Sequence, residues 1–251
     1  NLNSQFTVVV DAGHGGKDPG NTGNGYLEKK IALSIALKLG KKLEDNGVKV
    51  VYTRKSDVFV NLFERANIAN RSNAQLFISI HCDSHTSQAY GAGTFVLGLH
   101  ANQRNFEVAK KENSVIFFEE DYINKYEGFD PNNPESVIGL TLMQEEYLDQ
   151  SIVAASYIQN SFVNKLKRRN RTVKQAGFIV LKYTYMPSVL VETGFLTNNS
   201  EGAYLNSVRG QNEMADAIAS AVIDYKNDFF KNLSTTILSN DRTEYKISYR
   251  I

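Results

Sequence analysis

Three short apolar runs, each followed by an ionisable residue, constrain the fold of this chain more than any other feature. Thr7–Val10 (TVVV) leads through Asp11 and a glycine-rich loop to His14. Leu76–Ile80 (LFISI) runs straight into His81, and Ser188–Val191 (SVLV) into Glu192. Continuous β-branched and aromatic runs of this length predict strands buried on both faces, as in a parallel sheet covered by helices. In open sheets of that kind, loops leaving the carboxyl ends of strands are where sites form. All three ionisable residues stand at such exits.

The first loop carries the strongest local signal. Gly13, Gly15, Gly16, Gly20 and Gly23 fill DAGHGGKDPGNTG, giving a backbone able to adopt positive φ and to approach a ligand closely. A glycine loop between strand and helix by itself suits either a phosphate or a metal. The helix that follows, Glu28 to Asn46, repeats Ile31, Ile35, Leu39 and Leu43 every four residues, and Asn46-Gly47 supplies its stop. Glu28 lies three residues before Ile31, near the inward edge, so it can join His14 on one metal ion. His81 and Glu192 then make a less accidental set. Zinc favours imidazole nitrogen and carboxylate oxygen, and a catalytic zinc keeps three protein ligands and one open position. His14, Glu28 and His81 are the candidate ligands, and Glu192 the candidate general base. Asp83 is a candidate acceptor behind a ligand histidine, and His85 a reserve ligand at the surface. Cys82 is a small buried apolar side chain, and as the single cysteine it excludes an intramolecular disulfide.

The rest of the chain reads in order. Val48 to Thr53 is a short strand, and Asn61 caps a helix over Leu62 to Ser72 in which Arg65 is expected to be exposed. Gly91 to Leu97 is another strand. Residues 99–144 are mixed and charge-rich, with an ambiguous ENSVIFFEE segment; a stretch that long is expected to be functional. Leu142 to Lys167 is the clearest helix, ending in a solvated cluster of Lys165, Lys167, Arg168, Arg169 and Arg171. Phe178 to Leu181 is expected as a short strand, and Glu201 to Lys226 as a closing helix. Tyr245, Ile247, Tyr249 and Ile251 alternate with polar residues, predicting a terminal half-buried strand, either at a sheet edge or opening a truncated further domain.

The net charge of +1 gives no support for nucleic-acid binding, and no apolar run reaches the ~18 residues of a membrane span. Asn1 is not followed by a basic-then-apolar leader, so any signal peptide is expected to have been removed or never present.

Together DAGHGG (Asp11 to Gly16), Glu28-Lys29-Lys30-Ile31-Ala32-Leu33, Thr53-Arg54, FISIH with Asp83, and MPSVLVETGFLTN (Met186 to Asn198) resemble the zinc-dependent N-acetylmuramoyl-L-alanine amidases of the amidase-3 type, bacterial cell-wall enzymes. The resemblance spans about Thr7 to Tyr225. It implies a single α/β domain, residues 1–230, with a mixed, mostly parallel twisted sheet flanked by helices on both faces, followed by a tail, 231–251. It places zinc on His14, Glu28 and His81, and the catalytic carboxylate on Glu192. The implied reaction is hydrolysis of the amide between the lactyl group of N-acetylmuramic acid and the L-alanine of the stem peptide. Such a protein is exported to the periplasm or cell envelope, has peptidoglycan as its substrate, and is expected to be a monomer. Where the family commonly has Ala, Cys82 follows the ligand His81.

Some envelope members resemble residues 99–144 in carrying an insertion that folds over the active site and lends an acidic side chain to the open zinc position. Glu119 and Glu120 are the first candidates here, then Glu112. An activator protein would then lift the insertion. Two other functions compete: a catalytically silent peptidoglycan-binding or activating relative, and a zinc exopeptidase using Arg65 or Arg54 to hold a substrate terminus.

Overall fold

The computed structural model describes residues 5–100, 102–138 and 145–248. The apolar runs form the middle of a six-stranded sheet. In chain order the strands are β1 (Thr7–Ala12), the two-residue pair β2 (Thr22–Gly23) and β3 (Tyr26–Leu27), β4 (Lys49–Tyr52), β5 (Leu76–Asp83), β6 (Ala92–Leu97), β7 (Asn170–Ala176) and β8 (Ser188–Phe195). The helices are α1 (Glu28–Asp45), α2 (Leu62–Arg71), α3 (Gln103–Asn113), α4 (Tyr122–Lys125), α5 (Glu145–Asn164), α6 (Ile179–Lys182), α7 (Asn199–Asn206) and α8 (Val208–Ser248). The sheet order is β4-β1-β5-β8-β6-β7, while β2 and β3 form a separate antiparallel pair. β4, β1, β5 and β8 run parallel; β6 is antiparallel to β8, and β7 is parallel to β6. The sheet is therefore mixed and mostly parallel, as expected.

Alternation along each strand divides the core in two. Val8, Val10, Leu76, Ile78, Ile80, Val189 and Val191 pack with α1, α5 and α8 on one face. Val9, Phe77, Phe95 and Leu190 face the other way, against Leu62, Val108, Ile116 and Phe178. His81 and Glu192 follow Phe77 and Leu190 at even spacing, so they share this second face. After β1 the chain crosses to β4 on one side and returns to β5 on the other. The carboxyl ends of β1 and β5 thus frame a crevice at a point of reversal, the favoured place for a site in such a sheet.

Local signals at the helix ends hold. Asn61 Oδ1 accepts from the Glu64 amide, and α1 ends with Asn46 as its cap and Gly47 at φ 72°. Two strand expectations do not. Phe178 to Leu181 is apolar because it is a helical turn buried on all sides, α6; a short apolar run cannot by itself distinguish the two. The strand lies one step earlier, in the polar NRTVKQA of β7, which needs no apolar run because it is an edge of the sheet. The C-terminal expectation also fails. The chain is helical to Ser248, Tyr245 and Ile247 included, because a helix propagates by one hydrogen bond per residue whereas a strand needs a sheet edge. Tyr249 and Ile251 lie outside the described residues.

The 102–138 segment is a packed layer. Val108, Ala109, Val115, Ile116, Tyr126 and Phe129 enter the second core, laying α3 across the crevice. Asn113 fastens its end, donating to the Gly177 carbonyl at 2.7 Å and accepting from the Ile179 amide at 2.9 Å.

Candidate functional site

His14 stands two residues past the end of β1, with φ 61°, a left-handed conformation that a residue with a Cβ rarely adopts. Two arginines hold it there. Arg65 Nη1 donates to the Ala12 carbonyl at 2.6 Å and Nη2 to the His14 carbonyl at 2.7 Å, while Arg54 donates to the carbonyls of Ala12 and Gly13 at 2.9 and 2.7 Å. Arg65 also pairs with Asp11 at 2.6 Å, and Thr53 and Ser79 complete the shell of that buried carboxylate at 2.5 Å each. Burial alone would raise the Asp11 pKa, but the Arg65 charge and the two hydroxyls hold it below the usual carboxylate range. Arg65 is thus 1% exposed, not on the surface as its helical spacing suggested, because a carboxylate on the neighbouring strand draws it in. The guanidinium groups of both arginines are committed to backbone carbonyls and, for Arg65, to the Asp11 carboxylate, so neither presents a free fork to a substrate terminus.

Below this loop four side chains converge. One donor atom from each of His14, Glu28, His81 and Glu112 lies within 4.8 Å of the other three. His14 Nε2 is 3.2 Å from Glu28 Oε2 and 3.1 Å from Glu112 Oε2; His81 Nδ1 is 3.2 Å from Glu28 Oε1 and 2.9 Å from Glu112 Oε2. Four donors about 2.0–2.1 Å from a tetrahedral zinc stand roughly 3.3–3.4 Å apart, close to these separations. His14 Nε2 and Glu112 Oε2 are buried without a well-formed hydrogen bond, as ligand atoms aimed at a shared central point would be.

The other ring nitrogens are fixed from behind. His14 Nδ1 meets Asp18 Oδ2 at 2.7 Å and His81 Nε2 meets Ser79 Oγ at 3.0 Å, which leaves Nε2 of one ring and Nδ1 of the other for the centre. The Glu28 carboxylate is oriented by the amides of Asn21 and Cys82, both at 2.7 Å. Two glycines are obligatory here. A Cβ on Gly13 would lie 2.5 Å from the His81 ring, and one on Gly20, at φ 67°, 2.5 Å from His14 and 2.7 Å from Glu28.

Electrostatics agree with a cation-seeking pocket. Burial disfavours the charged form of both imidazoles, yet the surrounding carboxylates outweigh it. Glu28 and Glu112 hold His14 well above its ordinary value, and Glu112 and Glu28 raise His81 to about 10. The two carboxylates are balanced either by two imidazolium protons or by one divalent cation. The space left among His14, His81, Arg65 and Glu112 is about 10 Å³, room for about one water molecule or one ion and no more.

Glu192 stands beside the cluster, paired across the strands with His81. It is 3% exposed and neither carboxylate oxygen has a hydrogen-bond partner among the described residues. Burial, reinforced by Asp83 and Glu112, pushes its pKa well above the ordinary value, the environment of a proton carrier.

The structure also redistributes several candidates. Glu119 accepts from Tyr126 at 2.7 Å and Lys125 at 2.5 Å, and Glu120 is exposed, so neither approaches the cluster. Glu112 does, because α3 begins earlier than the ENSVIFFEE pattern suggested: on that helix Glu112 falls on the same face as Val108 and Ala109. Asp83 pairs with Arg104 at 2.7 Å instead of backing a histidine. His85 is exposed and bonded to Ser87. Cys82 is buried, with a thiol pKa pushed up by burial, consistent with a packing role. Asp18 and Ser79 were missed. Both had a signal: Asp18 lies four residues past His14 in the same loop, and Ser79 stands two residues before His81, on the same face of β5.

The profile of the N-acetylmuramoyl-L-alanine amidase family matches residues 8–224, which carry every one of these positions. The chain belongs to this amidase family. It is 34% identical over 227 residues to AmiA of Salmonella typhimurium, an N-acetylmuramoyl-L-alanine amidase, covering 88% of this chain and 76% of that protein. An N-acetylmuramoyl-L-alanine amidase of Clostridium difficile 630 superposes with TM-score 0.68 at 27% identity, covering 89% and 97% of the two chains. The CwlD amidase of Clostridioides difficile, solved in complex with the GerS lipoprotein, superposes with TM-score 0.65 at 27% identity, over 89% of this chain and 99% of that one.

Proposed function

We propose that this amidase hydrolyses the bond between the lactyl group of N-acetylmuramic acid and the L-alanine of the peptidoglycan stem peptide, and that zinc is its cofactor. The observation that carries the reading is the convergence of His14, Glu28 and His81 beside an unpartnered, buried Glu192. His14 Nε2, His81 Nδ1 and the Glu28 carboxylate would hold the ion. When bound, zinc supplies a Lewis acid for the scissile carbonyl and for the attacking water. Glu192 accepts the water's proton and returns it to the leaving alanine nitrogen; its buried oxygens, without hydrogen-bond partners among the described residues, suit both transfers. The buried Arg65–Asp11 pair and Arg54 keep the His14 loop in its left-handed geometry. No serine or cysteine nucleophile is required. The site of action is the cell envelope, where the substrate lies.

We also place Glu112 as the lock. Its carboxylate takes the fourth corner of the cluster, and α3 leaves no room there for substrate. The fastening of α3 through Asn113, and the exposed apolar side chains Phe117, Phe118 and Ile123 that follow it, suit release by an activator protein. The CwlD–GerS complex is a precedent for a partner on an amidase of this fold.

The deciding experiment is Glu192→Gln. With zinc content and melting temperature unchanged, release of L-alanine-headed stem peptides from purified sacculi should fall by about 10²–10⁴-fold. Retained release would remove Glu192 from the mechanism. A wild type that binds sacculi yet stays inert after removal of residues 112–135 would favour a silent binding relative.

A further inference from the structure

Beyond the metal cluster, an open cavity of about 690 Å³ runs along β7. Arg104, Arg169, Arg171 and Lys174 line it against a single carboxylate, Asp83, which Arg104 already pairs. Lys174 is the unusual member. It is partly buried, yet its ammonium makes no hydrogen bond or ion pair among the described residues and rests over the Phe95 ring, 4.6 Å from the centroid. It reaches that place because Gly93 has no side chain: a Cβ there would lie 3.3 Å from Lys174 Nζ. Gly93 in turn pairs across the strands with Glu192. Facing Cβ positions are about 4.5–5.5 Å apart, so the ammonium lies within about 9 Å of the Glu192 Cβ. Arg171, also in the cavity lining, anchors its Nε on the Tyr90 carbonyl at 2.9 Å and sits 5.0 Å from the Phe195 ring.

A partly desolvated cation without a counterion is costly unless an anion completes it in use. Burial already depresses the Lys174 pKa, while Asp83 and Glu192 act in the other direction. The substrate offers such an anion on one side only. The glycan strand is uncharged once its lactyl groups are amidated, whereas the stem peptide carries free carboxylates. With consecutive Cα atoms 3.80 Å apart, the carboxylate on the second stem residue lies about 6 Å from the scissile nitrogen, inside the ~9 Å bound between Lys174 and Glu192.

We infer that the β7 cavity is the stem-peptide subsite, in which Lys174, aided by Arg171, receives the free α-carboxylate of the second residue and so selects acid over amidated stems. This rests on the amidase reading above. Lys174 is a specificity residue of that site and needs no part in the bond cleavage.

The test compares L-alanyl-D-isoglutamate with its carboxamide twin, L-alanyl-D-isoglutamine. Binding of each is titrated by NMR to the full zinc-loaded chain carrying Glu112→Ala, with and without Lys174→Gln. The acid should bind about tenfold or more tighter than the amide, in line with a hydrogen bond to a charged group. K174Q should erase that preference while leaving amide binding and the melting temperature unchanged; Lys174→Arg should retain most of it. A parallel arm follows kcat and KM on the two muramoyl dipeptides, where K174Q should raise KM for the acid alone. Equal affinity for acid and amide, or an equal loss on both, overturns the subsite. If neither muramoyl dipeptide is cleaved, the amidase reading falls, and the binding arm still decides the subsite.

Discussion

Replacing Glu112 by Ala should release activity, and the structure sets its size. The Glu112 carboxylate lies 3.1 Å from His14 Nε2 and 2.9 Å from His81 Nδ1, buried and otherwise unpaired. A contact to a charged partner contributes about 1.5–3 kcal/mol net, and each 1.4 kcal/mol is tenfold in a population. Removing it should therefore raise turnover roughly ten- to a hundredfold at saturating zinc. The three-residue ligand set stays intact, and α3 remains seated through Asn113 and its apolar face, so the substitution isolates the carboxylate from the helix. The assay is release of stem peptides from dye-labelled sacculi, with zinc per chain measured on the same sample. Glu119→Gln serves as control and should change nothing, since Glu119 is bonded to Lys125 and Tyr126 away from the cluster. Turnover unchanged or lowered in Glu112→Ala, at one zinc per chain, refutes the reasoning that this carboxylate blocks the site.

Two further outcomes follow from the site's charges. In the metal-free chain both imidazoles have raised pKa values, His81 to about 10, so both are protonated at pH 7 and must lose those protons to ligate. Zinc binding in weakly buffered solution should release close to two protons, and its affinity should rise with pH up to that range; a pH-independent affinity contradicts the ligand set. The sign for metal-free stability is opposite: raised histidine pKa values stabilise fully below about 6.5 and are lost as pH climbs through the folded values, which melting curves of the chelator-treated protein will read. Arg65→Met should cost about 3–5 kcal/mol, because it strands the buried Asp11 carboxylate and frees the His14 loop. A chemical-denaturation midpoint close to wild type would show that Arg54 alone suffices.

The sequence by itself determined the three central strands and the ionisable residues that leave their ends. A TVVV or LFISI run is buried wherever it folds, and His14, His81 and Glu192 leave such runs at the same end of parallel strands, so local pattern alone brings them to one edge. Glu28 was legible for the same reason, through the period of α1. What pairs with these residues was decided by tertiary structure. Arg65 looked like surface on its own helix, and only the neighbouring Asp11 buries it. Lys174 lies over Gly93 because strands distant in sequence are in register. The choice of Glu112 over Glu119 and Glu120 turned on where α3 starts and how it rotates against the crevice. Hydrophobic period is a property of one segment; hydrogen bonds and ion pairs between segments belong to the packed whole.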